Sequence, residues 1–327
     1  MHLFPLPAKH PVPRMEGPGI RGNGVARIVS IGECMIELSE AGQGGLWSMG
    51  IAGDTLNTAW YLRRLLPEAW RVGYVTRVGE EEFSARILAF LQEAGLEVAH
   101  VQRDAERGPG LYAISLKEGE RSFTYWRGQS AARRLADDPG KVAEALEGAR
   151  LAYLSGITLA ILEPGRREAL LEVLAQSGVP FAFDPNIRPR LWESMDVARD
   201  WVHRASRAAA ILLPSADDEA AAFGDTSPEA TRARYAALGV PEVVVKAGGG
   251  PIHWQAEGEE GCAQGHAPVV PVDTTGAGDS FNAGYLAARL QGAAPAAAIA
   301  AGHHVAAQVV MARGALTAIT PPGAVPA

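Results

Sequence analysis

From residue 27 onward the chain alternates short apolar runs with longer stretches of helical period. The runs 27–31, 72–78, 151–155, 179–183, 209–213 and 242–247 are rich in Val, Ile and Leu and bounded by turn residues. Uninterrupted apolar strands of this kind suit a parallel sheet covered on both faces, where no position needs to alternate toward water. Helical patterns are predicted at about 55–66, 82–94, 165–176, 194–207, 228–238, 277–290 and 295–311. Ser194 and Asp196 offer capping oxygens to one of these, and Ser227-Pro228 sets a cap before a proline at the first helical position of another. Repeated strand–helix order implies an α/β fold with a doubly wound, mostly parallel sheet and right-handed crossovers.

Two segments depart from that rhythm. Residues 111–116 and 121–126 alternate with period 2 around Lys117-Glu118-Gly119-Glu120, which predicts a β-hairpin. Residues 34–50 are extended and punctuated by glycine. Together they predict a small antiparallel sheet projecting as a lid over the strand ends, drawn from about 34–50 and 98–130. Residues 1–26 carry Pro5, Pro7, Pro11, Pro13 and Pro18 with no hydrophobic period, so a flexible extension is expected before a domain over 27–322 and a tail at 323–327. The Gly17–Gly22 stretch matches G-x-G-x-x-G literally. It precedes the first strand and contains Pro18, so it offers no helix N-terminus to a pyrophosphate and is set aside.

Composition narrows the function classes. Of 327 residues 47% are hydrophobic and 20% charged, which excludes general disorder. No apolar run approaches the roughly 18–20 residues needed to span a bilayer. A net charge of −7 argues against nucleic acid as a main partner. Cys34 and Cys262 are too few for a disulfide framework or a four-thiolate zinc site, and Cys34, following a buried strand without a basic neighbour, reads as an inert apolar thiol. The N-terminus lacks the basic-then-apolar order of a secretory signal, so a reducing, cytoplasmic setting is expected.

The chemistry concentrates in Asp273-Thr-Thr-Gly276-Ala277-Gly278-Asp279-Ser-Phe-Asn-Ala-Gly-Tyr285. Gly276, Ala277 and Gly278 are small enough for backbone N–H groups to close around an anion, and the helix beginning there points its positive end at the same spot. Asp279 in the first turn repels phosphate. Its sensible role is to accept a proton from a hydroxyl attacking phosphorus, although as a lone feature it could simply cap the helix. His303 and His304 are adjacent and cannot share a helix face as metal ligands. No Walker A sequence is present.

That signature resembles the one near the C-terminus of the PfkB/ribokinase carbohydrate kinases, and the resemblance extends over about 27–322. Within the family the pattern is most similar to kinases of 2-keto-3-deoxygluconate. It rests on Ile31–Ser39, Gly53-Asp54-Thr55-Leu56-Asn57, Gly110-Leu111-Tyr112, Tyr125-Trp126-Arg127, Ser155–Leu162 and Asp184–Trp192. The resemblance implies a ribokinase-like fold and ATP-dependent phosphorylation of a sugar acid's terminal hydroxyl, with ATP and Mg²⁺ and a monovalent cation left open. By resemblance Gly53, Asp54 and Asn57 form the substrate turn, Tyr112, Tyr125 and Arg127 reach the substrate from the lid, and Arg188 meets it from the main domain. A substrate carboxylate is what bidentate arginines would serve. Lys246, Gly248 and Gly250 would lie along the nucleotide, although Pro251 stands where the family's last glycine falls. Asn186, Ser215 and His303 join that cofactor set, with His303 against the adenine or in helix packing. Ser215 replaces the asparagine of an Asn-x-x-Glu motif, leaving Asp218 or Glu219 as the acidic partner of the metal. A homo-oligomer formed through the lid is expected. A fructokinase, a 5-keto-deoxygluconate kinase or a non-catalytic sensor on the same scaffold are the alternatives.

Overall fold

A computed structural model describes residues 26–40, 45–117, 120–264 and 269–323. The proline-rich segment up to residue 25, the hairpin tip at 118–119 and the end of the tail lie outside the described residues. In chain order the strands are β1 (Ala26–Ile31), β2 (Met35–Glu40), β3 (Trp47–Ala52), β4 (Trp70–Val75), β5 (Arg77–Val78), β6 (Gln102–Arg103), β7 (Gly110–Lys117), β8 (Glu120–Trp126), β9 (Leu151–Ser155), β10 (Phe181–Asp184), β11 (Ile211–Leu212), β12 (Glu242–Val245), β13 (Ile252–Ala256) and β14 (Glu259–Ala263). The helices are α1 (Asp54–Leu65), α2 (Glu82–Glu93), α3 (Pro139–Leu146), α4 (Gly156–Ile161), α5 (Pro164–Ser177), α6 (Met195–Ala208), α7 (Ala216–Phe223), α8 (Pro228–Ala237), α9 (Ala277–Leu290) and α10 (Pro295–Val309).

The main sheet runs β14-β13-β12-β11-β10-β9-β1-β4, parallel from β12 to β4. Successive residues of each strand serve opposite faces, as the pleat requires. In β9, Leu151 and Tyr153 join a core with α1, α9 and α10, whereas Ala152 and Leu154 join a second core with α3, α5, α6 and α8. Helices therefore cover both faces, and the expected doubly wound sheet is what forms. The alanine-rich stretch entering α10 allows backbone contact: a Cβ placed on Gly284 of α9 would lie 2.8 Å from the Cα of Gly302. Ser194 and Ser227 cap α6 and α8 through bonds from the N–H groups of Val197 and Ala230.

Four strands in the order β3-β2-β7-β8 form the lid. Its outer pairings are antiparallel, but the central β2–β7 pair, joining two separate stretches of chain, is parallel. The lid strands occupy 35–52 and 110–126, while 98–109 carries β6, which pairs with β5. The run 72–78 breaks at Thr76 into β4 and β5. The edge hairpin β13–β14 and the short helices α3, α4 and α7 were not anticipated. Glu257 and Gly258 both have positive φ (56° and 83°), the two-residue turn geometry that joins antiparallel strands. Among the described residues no helix is long and apolar enough to cross a membrane.

Candidate functional site

The chain leaves β1 for β4 on one side and returns to β9 on the other, so the winding reverses at β1. Clefts open at such a point, outside the carboxyl ends of the strands. Here the cleft measures about 880 Å³ and is lined on one side by the lid residues Met35, Tyr112, Phe123 and Tyr125. Asp184 is the last residue of β10, Ser215 follows β11 and Lys246 follows β12. The first turns of α1 and α9 complete its floor.

The start of α9 is shaped by one carboxylate and one glycine. Asp273 accepts from the Thr275 N–H (3.0 Å), the Thr275 hydroxyl (2.7 Å) and the Gly314 N–H (2.6 Å). That pins the turn so that Gly276 takes φ 75°, where a side chain would also meet the Ala315 carbonyl at 2.8 Å. The first helical bond is donated by Ser280 to the Gly276 carbonyl (2.8 Å), and no side chain caps the helix. The N–H groups of Gly278 and Asp279 precede that ladder and line the cleft, which makes this end an anion cradle.

Lys246 flanks the cradle. Its ammonium would lie 3.7 Å from a Cβ on Gly278. It donates to Asp184 Oδ2 (2.6 Å) and Asn282 Oδ1 (3.0 Å), and Asn282 donates to the same Asp184 oxygen (2.7 Å) and to the Tyr153 hydroxyl (3.0 Å). Asp184 was not among the expected site residues. An acid closing the otherwise apolar Phe181-Ala182-Phe183-Asp184 was its available signal.

Asp279 faces the Gly53–Asn57 turn. Its Oδ2 accepts from Asn57 Nδ2 at 2.8 Å, while Asn57 and Gly53 exchange bonds that hold the start of α1. Gly53 is required by close approach, since a Cβ there would sit 2.3 Å from the Glu33 carbonyl oxygen. Asn186, expected in the nucleotide set, lines the cleft and donates from Nδ2 to Asp54 Oδ2 (2.9 Å). Asn186 is held in the left-handed region (φ 35°) with its N–H on Asp184 Oδ1 (3.1 Å), the kind of strain that collects where geometry matters. Burial, reinforced by the charges of Asp54 and Asp184, pushes the Asp279 carboxyl up to about 8 against the opposing effects of Asn57 and Lys246. A base in that range is matched to near-neutral proton transfer.

From the lid, Tyr112 and Tyr125 present rings 5.6 Å apart and Tyr112 donates its hydroxyl proton to Glu37. Arg127 follows β8, lines the cleft and is ion-paired with Glu33. Arg188 is half-exposed and donates to Asp218 Oδ2 at 2.9 Å. Of the two acids left open at α7, Asp218 lines the cleft, with Ser215 and Asp217. Glu219 does not: one position further round the helix, it is buried against Arg234 Nη2 (2.6 Å) and the Tyr235 hydroxyl (2.8 Å). Gly248 and Gly249 line the cleft and Gly250 lies outside its lining. His303 stands edge-on to Phe281 (5.4 Å) beside Ile252, Ala306 and Val310 at the apolar end. Cys34 is buried, and that burial pushes its thiol up to about 12.

The chain is similar to known carbohydrate kinases in sequence and in fold. The sequence pattern of the pfkB family carbohydrate kinases matches residues 25–321. The 2-dehydro-3-deoxygluconokinase of Escherichia coli (strain K12) is 40% identical over 301 residues, covering 89% of this chain and 96% of that protein. The crystal structure of a PfkB protein from Polaromonas sp. JS666 is similar with a TM-score of 0.77 and 27% identity, over 90% of this chain and 98% of that one. An E. coli protein described as a ribokinase II, solved with ATP and Mg²⁺, shares the fold (TM-score 0.76, 23% identity, 89% of this chain and 94% of that one). With the family pattern running almost end to end, from residue 25 to residue 321, the chain belongs to the pfkB family of carbohydrate kinases.

Proposed function

We propose that this chain transfers the γ-phosphoryl group of ATP to the terminal hydroxyl of 2-keto-3-deoxygluconate, giving the 6-phosphate. The observation that carries the reading is Asp279: a carboxyl raised to about 8, beside open helix N–H donors and hydrogen-bonded to the sugar turn. Phosphoryl transfer asks mainly for positioning and charge stabilisation, and each has an identifiable source here. Asp54 and Asn57 fix sugar hydroxyls so that the terminal one meets Asp279, which takes its proton as the oxygen attacks phosphorus. The N–H groups around Gly276, Ala277 and Gly278, with Lys246 behind them, meet the charge that develops on the transferring group. Arg127 and Arg188, with Tyr112 and Tyr125, serve the carboxylate end. The apolar walls around His303 suit a nucleotide base, and Ser215 and Gly248 border its phosphates.

Among the described residues no group of three His, Cys, Asp or Glu is arranged to hold a metal ion. An ion carried on ATP phosphates needs only one or two protein carboxylates. Asp218, with Asp217 beside it, fits that need, and Mg²⁺ there would supply further charge neutralisation. A chain drawing on ATP works in the cytoplasm. A hollow of about 460 Å³ on the outer lid face is bounded by Leu38, Trp47, Leu111 and Trp126, and Trp126 is 60% exposed. A second copy pairing lid to lid covers that face, and Trp126→Asp then shifts the sedimenting species to monomer.

The deciding experiment is an ADP-release panel with the purified chain, Mg-ATP, 2-keto-3-deoxygluconate, its galactonate epimer and fructose. Turnover of the sugar acid is expected. Fructose turned over without the acid would overturn the reading in favour of a neutral-sugar kinase.

A further inference from the structure

Arg127 and Glu33 form a pair that the phosphoryl chemistry does not explain. Glu33 lies two residues past β1, in the main body, and Arg127 immediately follows the last lid strand. They are 2% and 8% exposed and joined through Glu33 Oε2 and Arg127 Nη2. Burying an ion pair is no cheap route to stability, because desolvation offsets most of the attraction. The pair is also confined. A Cβ on Gly110 would lie 2.8 Å from Glu33 Oε1 and 3.1 Å from Arg127 Cβ, so neither side chain can swing through that wall. The backbone of the same Glu33 abuts Gly53, at the head of the sugar turn. One residue thus registers the sugar turn with its carbonyl and the lid arginine with its carboxylate.

The guanidinium has donors to spare. Glu33 occupies the Nη2 edge, and the buried Arg127 Nε has no hydrogen-bond partner among the described residues. A planar fork held on one edge can present the rest in a fixed direction to a second carboxylate. We propose that Glu33 is a positioning residue for substrate recognition: it orients Arg127 toward the sugar acid's carboxylate and so sets the preference for charged over uncharged sugars. This rests on the function proposed above. Because the Glu33–Arg127 pair is neutral as a unit, selectivity comes from direction more than from net attraction.

The test compares binding of 2-keto-3-deoxygluconate with that of its primary amide, which has the same shape without the charge, by titration calorimetry. Glu33→Asp keeps the charge pair, and so the fold, but shortens the reach and draws the guanidinium back. It is expected to lower the acid-to-amide affinity ratio about 10- to 100-fold, the scale set by misplacing a binding group by an ångström. Glu33→Gln keeps the reach and an acceptor oxygen, and should recover at least half of that lost selectivity on a logarithmic scale. Weakening of acid and amide alike, or a ratio within twofold of the unmodified protein in Glu33→Asp, overturns the proposal. If the unmodified protein phosphorylates the acid and Glu33→Asp weakens both ligands equally, only this inference falls; if it binds neither ligand, the proposed function falls with it.

Discussion

Replacing Asp279 with Asn should abolish turnover and stabilise the fold at once. The Asn57 bond survives in principle, since an amide oxygen can accept where the carboxylate did. What disappears is the proton acceptor, worth about 10²- to 10⁴-fold in rate. The stability gain follows from the carboxyl's shift from 3.8 to about 8. Its folded value lies above its unfolded one, so the folded chain keeps a proton that the unfolded chain has released. Stability of the unmodified protein therefore falls as pH climbs from about 4 to about 8 and is level beyond. At pH 7 about three pH units separate the unfolded value from the solution, an upper bound near 4 kcal/mol at about 1.4 kcal/mol per unit. Asp279 is partly solvent-exposed, which reduces this to about 1–2 kcal/mol. For a chain of this size, at about 2.1 cal/mol/K of unfolding entropy per residue, that is a rise in Tm of about 1–3 °C. Differential scanning calorimetry of both proteins from pH 5 to pH 9 should show the gap opening with pH. A gap that is constant, or that closes as pH rises, would refute the account of Asp279, and so would retained turnover in a folded variant.

The same carboxyl gives kcat/KM an acid limb: activity should rise with pH through about 8, as the free enzyme loses that proton, and a flat profile from pH 6 to 9 would contradict it. Gly276→Ala forces a side chain into φ 75° and against the Ala315 carbonyl, costing about 1–3 kcal/mol in urea unfolding and at least about tenfold in kcat as the cradle opens. Lys246→Met strands Asp184 without its counter-charge and should cost about 3–5 kcal/mol. Adding Asp184→Asn returns most of that stability and none of the activity, which unfolding and rate measurements on the double variant check. Arg188→Ala removes a half-exposed ion pair, so unfolding should move by no more than about 1 kcal/mol. Its KM for the sugar acid should rise about tenfold, with no such rise for an uncharged analogue.

The main sheet was legible because its strands are covered on both faces and read as unbroken apolar runs. Period-2 alternation likewise exposed the lid. The edge hairpin β13–β14 escaped because β14 buries no residue and so offers no apolar pattern to pair with the five residues of β13. Helix α4 is six residues long, too short for a helical period to declare itself. Within the cleft, the cradle and Asp279 were readable because they are neighbours in sequence and their chemistry is local. Asp184 and Glu33 take their meaning from partners 62 and 94 positions away, which only the fold brings together. Asp218 and Glu219 could not be told apart as adjacent acids, yet about a hundred degrees of helical rotation sends one to the cleft and the other to the core.

The glycine contact between α9 and α10 has a wider consequence. The helix that carries Asp279 is keyed to its neighbour at a point where neither backbone tolerates a single added carbon. The lid, by contrast, is a single four-stranded sheet whose aromatic edge is largely open to solvent. A carbon added at Gly284 or Gly302 would part the two helices and carry Asp279 away from its bond to Asn57.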